Sequence, residues 1–175
     1  MLNDLEDVIL FAALAHKEQK MVEPNVNYLA HVVGVASNVL EAYYNGDEEF
    51  DLNYALKLAI LHDVIEDTDI NYEKIEEIYG TRIADGVAAL TKDELLEKSQ
   101  RIKDAVRRIK KYDNEVAIVK LADRAFNMRC APKSWDQNHC ESYLKDAKII
   151  LEELGYSNKY LKSKLSGRIE KYNKD

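Results

Sequence analysis

The chain has 175 residues, 46% of them hydrophobic, with only six Gly and two Pro, which is enough to bury one sizeable core in a single domain over 1–175. Its 25 Lys and Arg against 32 Asp and Glu give a net charge of −7, which excludes a protein that wraps nucleic acid on a basic surface. No apolar run approaches the roughly 18 residues of a membrane span, and the start MLNDLEDVIL lacks the basic region and cleavage site of a secretory signal; a cytoplasmic protein without membrane partners is expected.

Apolar positions three or four apart recur along the chain, and period-two alternation is sustained nowhere, so the spacing predicts an all-α fold. In chain order the helices are expected over 3–19, 28–44, 51–64, 71–79, 81–90, 92–111, 114–130, 136–154 and 158–173. Thr91 with Glu94, and Ser134 with Gln137, have capping-box spacing. Asn45-Gly46 and Gly155 read as helix stops, because glycine tolerates the left-handed conformation. Thr68 and Asp69 read as a cap for the helix over 71–79. Asp47-Glu48-Glu49 reads as a solvated loop, and Arg101 to Lys111 as the exposed face of a helix that turns Ile102, Val106 and Ile109 inward. Cys130 and Cys140 form no CxxC pair and read as reduced, structural thiols.

Three apolar stripes run into ionisable residues. In 51–64 the inward face reads Leu52, Ala55, Leu56, Ala59, then His62 and Asp63. In 114–130 it reads Val116, Val119, then Asp123, Phe126 and Asn127; in 28–44 it reads Tyr28, His31, Val35 and Val39. A buried carboxylate without a partner costs several kcal/mol, and two imidazoles with two carboxylates suit a borderline or hard divalent cation, with Mn²⁺, Fe²⁺ or Zn²⁺ as candidates. Blander readings stand beside this one. A histidine on an apolar face is often merely hydrogen-bonded, and Asp123, flanked by Lys120 and Arg124, has a surface ion pair as its alternative. His16 is expected to pack or cap locally and His139 to face solvent. The acidic pair Glu66-Asp67 follows at the expected helix end, where negative charge opposes the helix dipole, so stability does not explain it; carboxylates beside a metal site can serve as general base and acid.

His31 in HVVGVA, His62-Asp63 in LAILHDVIEDT and Asp123 in VKLADRAFNMR resemble the sequence blocks of the HD superfamily of metal-dependent phosphohydrolases. The likeness is closest to the hydrolase domain of RelA/SpoT-type enzymes and to free-standing small alarmone hydrolases. The resemblance implies an all-α, single-domain HD-type helical bundle with Mn²⁺ held by His31, His62, Asp63 and Asp123. It also implies that Glu66 and Asp67 serve the attacking water, and that Asn127 lies in the nucleotide pocket, with Tyr28, Lys120 and Arg124 also matching the motifs. The implied reaction removes pyrophosphate from the 3′ position of ppGpp or pppGpp, giving GDP or GTP. One loop departs from the family pattern. Where relatives carry a basic pair whose arginine packs on guanine, this chain reads Lys20-Met21-Val22-Glu23, and either register loses the arginine. Lys20 is the remaining cation there, as a point charge rather than a planar stacking group. A second reading therefore keeps the chemistry with another nucleotide such as NADPH, and a third is a nucleotide-binding module without turnover.

Overall fold

The computed structural model describes residues 4–172, and the described residues form ten α-helices and no strand. They are α1 (Leu5–Ala15), α2 (Leu29–Asn45), α3 (Leu52–Leu61), α4 (Val64–Asp67), α5 (Tyr72–Tyr79), α6 (Thr81–Leu90), α7 (Lys98–Ile109), α8 (Asn114–Asn127), α9 (Gln137–Leu154) and α10 (Lys159–Lys171). None is long and apolar enough to cross a membrane. The expected helix limits at 3 and 173 lie outside the described residues.

The centre of the bundle is α8, buried without interruption from Glu115 to Phe126. A helix enclosed on every side must place even its charges indoors, and Glu115, Lys120, Asp123 and Arg124 are all less than a tenth exposed. Helices α2 and α3 pack on α8 and on each other. Those three helices carry, or lead directly into, the stripes that end in His31, His62-Asp63 and Asp123. The closest approach is at Gly34, one turn beyond His31: a Cβ there would sit 1.8 Å from the Phe126 ring. The absence of that atom lets Phe126 lie against α2 and set its ring edge-on to His31, with centroids 5.1 Å apart. The amphipathic reading of α7 holds, with Ile102, Val106 and Ile109 buried.

Several local expectations are corrected. The helix over 51–64 stops at Leu61, and a separate turn, α4, carries the acidic pair. Glu66 and Asp67 therefore do not sit at the negative end of a long helix, and the dipole argument for them falls away. Neither capping box forms. Thr91 closes α6, its hydroxyl donating to the Val87 carbonyl, and α7 begins only at Lys98. Ser134 lies inside a turn closed by Trp135 N–H on Pro132 O; the cap passes to Asp136, which accepts from His139 N–H at 2.8 Å. Thr68 likewise closes α4 by donating to Val64 O, and Asn71 caps α5. Gly46 and Gly155 do end α2 and α9, but with φ of −93° and −61°. Space, not handedness, requires them, since a Cβ would come within 2.6 and 2.4 Å of backbone oxygens. Among the described residues the left-handed side of the map is used only by Gly80, φ +84°, between α5 and α6. Glu48 is not free in solvent: it accepts from the Lys159 N–H and the Asn158 amide at the start of α10.

Candidate metal centre and active-site cavity

His31, His62 and Asp63 present ligand atoms within 4.8 Å of one another. The two Nε2 atoms are 3.1 Å apart. Asp63 Oδ2 lies 3.2 Å from His31 Nε2 and 2.8 Å from His62 Nε2. From α8, Asp123 Oδ1 approaches the same nitrogens at 3.6 and 3.9 Å. The four residues singled out from the stripes thus share one centre, and the surface ion pair considered for Asp123 is excluded by its burial.

The surroundings fix how these groups point. His62 Nδ1 lies 2.7 Å from the Ala59 carbonyl, an acceptor that fixes the proton on Nδ1 and leaves the Nε2 lone pair aimed at the centre. Tyr28 donates its hydroxyl to Asp63 Oδ2 at 2.6 Å. Asn127 and Lys120 donate to the two oxygens of Asp123 at 2.6 and 3.2 Å. Burial pushes the Asp63 carboxyl up, but His62 and His31 more than offset this and hold it well below the usual range. The same opposition, with Lys120 foremost, lowers Asp123. Burial disfavours a charged His62, yet Asp63 and Asp123 outweigh it and raise that ring to about 9. Two imidazole nitrogens and two carboxylates converging in a buried site, with His62 and Asp123 anchored from outside by Ala59, Lys120 and Asn127, form a donor set that fits a divalent cation.

Beside the centre a cavity of about 220 Å³ is lined by Tyr28, Asp63, Glu66, Asp67, Lys92, Lys120, Asp123, Arg124, Asn127 and Tyr143. Arg124 is the electrostatic anomaly in it. Its guanidinium lies 4.0 Å over the Tyr143 ring, is 4% exposed, and leaves Nε and Nη1 without any hydrogen-bond partner. Unpaired buried donors of that kind await an anion. The acidic pair divides. Both oxygens of Glu66 are taken by Lys92, one by its backbone N–H at 2.9 Å and one by its ammonium. Asp67 has one side-chain partner, the Gln19 amide at 2.9 Å, and its carboxyl is raised by burial and by neighbouring Asp63 and Glu66.

A second cavity, also about 220 Å³, shares Tyr28, Asn127 and Tyr143 with the first and extends to Met21, Val22, Glu23, Phe126, Arg129, Cys130 and Trp135. The loop that lacks the family arginine does line it. A planar cation comes instead from the end of α8, where Arg129 lies 3.6 Å over the Phe126 ring. Of the residues expected at the substrate, Tyr28, Lys120, Arg124 and Asn127 line the first cavity. Lys20 does not: it is exposed, its backbone pairs with Asn27, and it lines neither cavity. Sequence reasoning missed Lys92 and Tyr143, which lie far along the chain from the motifs. His16, expected to pack or cap locally, is buried at the end of α1 with its ring bonded to the nearby Gln19 side chain. His139 is exposed and stacks on Trp135.

A family model described as an HD domain matches residues 9–147. Over 166 residues the chain is 30% identical to the guanosine-3′,5′-bis(diphosphate) 3′-pyrophosphohydrolase MESH1 of Danio rerio, covering 92% of this chain and 89% of that protein. It is 30% identical over 164 residues to its Drosophila melanogaster counterpart, covering 91% and 89%. Among solved structures, a metazoan ortholog of SpoT described as hydrolysing ppGpp superimposes with a TM-score of 0.82 at 28% identity, covering 95% of this chain and 94% of the other.

Proposed function

The chain belongs to the HD domain family, and from that premise we propose that it is a metal-dependent hydrolase that removes the 3′-pyrophosphate of ppGpp or pppGpp, giving GDP or GTP. The carrying observation is the meeting of two imidazole nitrogens and two carboxylates at one end of a cavity whose other walls hold the unpaired guanidinium of Arg124 and the ammonium of Lys92. Relatives that cover nine-tenths of the chain carry that activity in their names.

In this reading His31, His62, Asp63 and Asp123 hold the cation, with Mn²⁺ as the first candidate. Once bound, such an ion supplies Lewis acidity toward a phosphoryl oxygen and lowers the pKa of nearby water. The protein's own groups do the rest. Tyr28, Lys120 and Asn127 keep the ligand carboxylates from rotating away. Asp67, whose single side-chain partner leaves one carboxylate oxygen free, takes the proton of the attacking water. Glu66 is saturated by Lys92 and acts by fixing that ammonium at the phosphates. Arg124 offers two free N–H groups to the pyrophosphate as it departs from O3′. The overall balance is ppGpp plus water to GDP plus pyrophosphate. The base enters the second cavity, between the Glu23 loop and Arg129.

A specific observation favours keeping a second substrate in view: the loop lining the base cavity presents Met21, Val22 and Glu23 rather than a cationic pair. One assay addresses both. Purified protein loaded with Mn²⁺ is incubated with ppGpp, pppGpp and NADPH, and released pyrophosphate or phosphate is measured alongside bound metal. Pyrophosphate release from ppGpp is expected; NADPH turnover with inert ppGpp would transfer the assignment to the second nucleotide.

A further inference from the structure

Behind Asp67 lies a polar chain that the mechanism above does not use. His16, 1% exposed, places Nδ1 2.6 Å from Gln19 Oε1, and Gln19 Nε2 donates to Asp67 Oδ2 at 2.9 Å. Nothing bonds to His16 Nε2. The direction of the two hydrogen bonds in this chain follows from the carboxylate at its end. A carboxylate accepts only, so the Gln19 amide must turn its NH₂ to Asp67 and its oxygen to His16; the ring must then donate from Nδ1, leaving Nε2 bare. The backbone reinforces the arrangement, with Gln19 N–H bonded to His16 O at 3.0 Å and Tyr28 N–H to Gln19 O at 3.1 Å.

We propose that His16 and Gln19 are positioning residues for the hydrolytic reaction, a two-member relay that pins Asp67 Oδ2 and so leaves Oδ1 directed at the attacking water. The inference rests on the reading of Asp67 as the water's proton acceptor. Asp67 ends the four-residue helix α4, at the mouth of the cavity it lines. Gln19 is the side-chain partner that the described residues give it. Without an oriented amide the carboxylate rotates freely, and the lone pair facing the water is lost for much of the time. His16 never approaches the substrate; it sets which face of the amide Gln19 shows. A buried histidine with one nitrogen bonded to a glutamine and the other to nothing is costly as a packing element alone, and the relay accounts for it.

The test uses the full chain loaded with Mn²⁺ and ppGpp as substrate. Gln19→Leu is expected to lower kcat about tenfold, with KM and Mn²⁺ affinity unchanged, because neither phosphate nor metal contacts are touched. His16→Asn places an amide NH₂ where Nδ1–H stood and should restore most of kcat. His16→Gln places it where Nε2 stood and should match the loss in Gln19→Leu. Equal losses in the two His16 variants would mean that the ring is only packing, and unchanged kcat in Gln19→Leu would end the proposal outright. Ring ¹⁵N spectra of the metal-free protein give an independent reading: the Nδ1–H tautomer is expected for His16, and the Nε2–H tautomer overturns the relay whatever the kinetics show. Wild-type protein inert toward ppGpp is a separate outcome that removes the functional reading on which the relay stands.

Discussion

At the metal centre the outcome of a mutation depends on which side of the centre the residue stands. Asp63 and Asp123 face inward, Asp63 with Tyr28 donating to the oxygen that meets the histidines and Asp123 with its second oxygen held by Lys120, so replacing either with Ala removes both a ligand and the anchor of its partners. Asp63→Ala and Asp123→Ala should each lower ppGpp hydrolysis by about a thousandfold or more and weaken Mn²⁺ binding, checked by calorimetry on the same preparations. Normal turnover in Asp63→Ala would refute the ligand assignment. Arg124 behaves differently, because its buried guanidinium lacks partners for two of its nitrogens. Arg124→Met should leave the melting temperature equal or higher while kcat/KM falls about a hundredfold, the pattern of a group kept for its ligand at the expense of stability. His31, His62, Asp63 and Asp123 were legible in the sequence because each interrupts an apolar stripe. Lys92 was not, since the spacing puts it at the start of the helix expected over 92–111, where nothing marks it as a partner of the acidic pair. Only the fold brings its backbone and side chain onto Glu66.

Among the elements, the contact between α2 and α8 controls the site at its narrowest point. A methyl group at position 34 would overlap the Phe126 ring, so Gly34→Ala must either push that ring off His31 or separate the helices. It should lower stability by about 1–3 kcal/mol in denaturant unfolding, as overpacking does, and weaken Mn²⁺ binding too, although residue 34 touches no ligand. Helix periodicity was recoverable from the sequence almost throughout: α5 and α6 fall within a residue of expectation. Boundaries failed where a capping side chain had another bond on offer. Thr91 and Thr68 spend their hydroxyls on the preceding helix, and Ser134 is absorbed by the turn after Pro132. The break between α3 and α4 was hidden for a related reason. His62 and Asp63 continue the face of α3 in sequence, and only the chain's turn at Asp63, with φ −104° and ψ 0°, starts a new axis.

For the molecule as a whole, protonation and metal occupancy compete for the same atoms. In the metal-free protein His62 is raised to about 9 by Asp63 and Asp123, against an ordinary value near 6.5 in the unfolded chain. A group raised on folding contributes stability that is complete below about pH 6.5 and lost as pH climbs through about 9. Metal-free protein should therefore melt about 5 °C lower at pH 9.5 than at pH 6.5. With saturating Mn²⁺ the order should reverse, because binding must expel the proton and so tightens as pH rises. Calorimetric scans at the two pH values, with and without metal, check the crossover; parallel curves would show that proton and metal do not share a seat.

The unbroken enclosure of α8 has a kinetic corollary. Asp123 rides on a helix wrapped by its neighbours from Glu115 to Phe126, so no local fraying can release it. Backbone amides in its middle should be the slowest in the molecule to exchange with deuterium, at the rate of global unfolding. Heat inactivation and loss of the last protected amides should then share a single rate constant, and no thermally relaxed form that keeps its shape but has shed its chemistry should accumulate on the way.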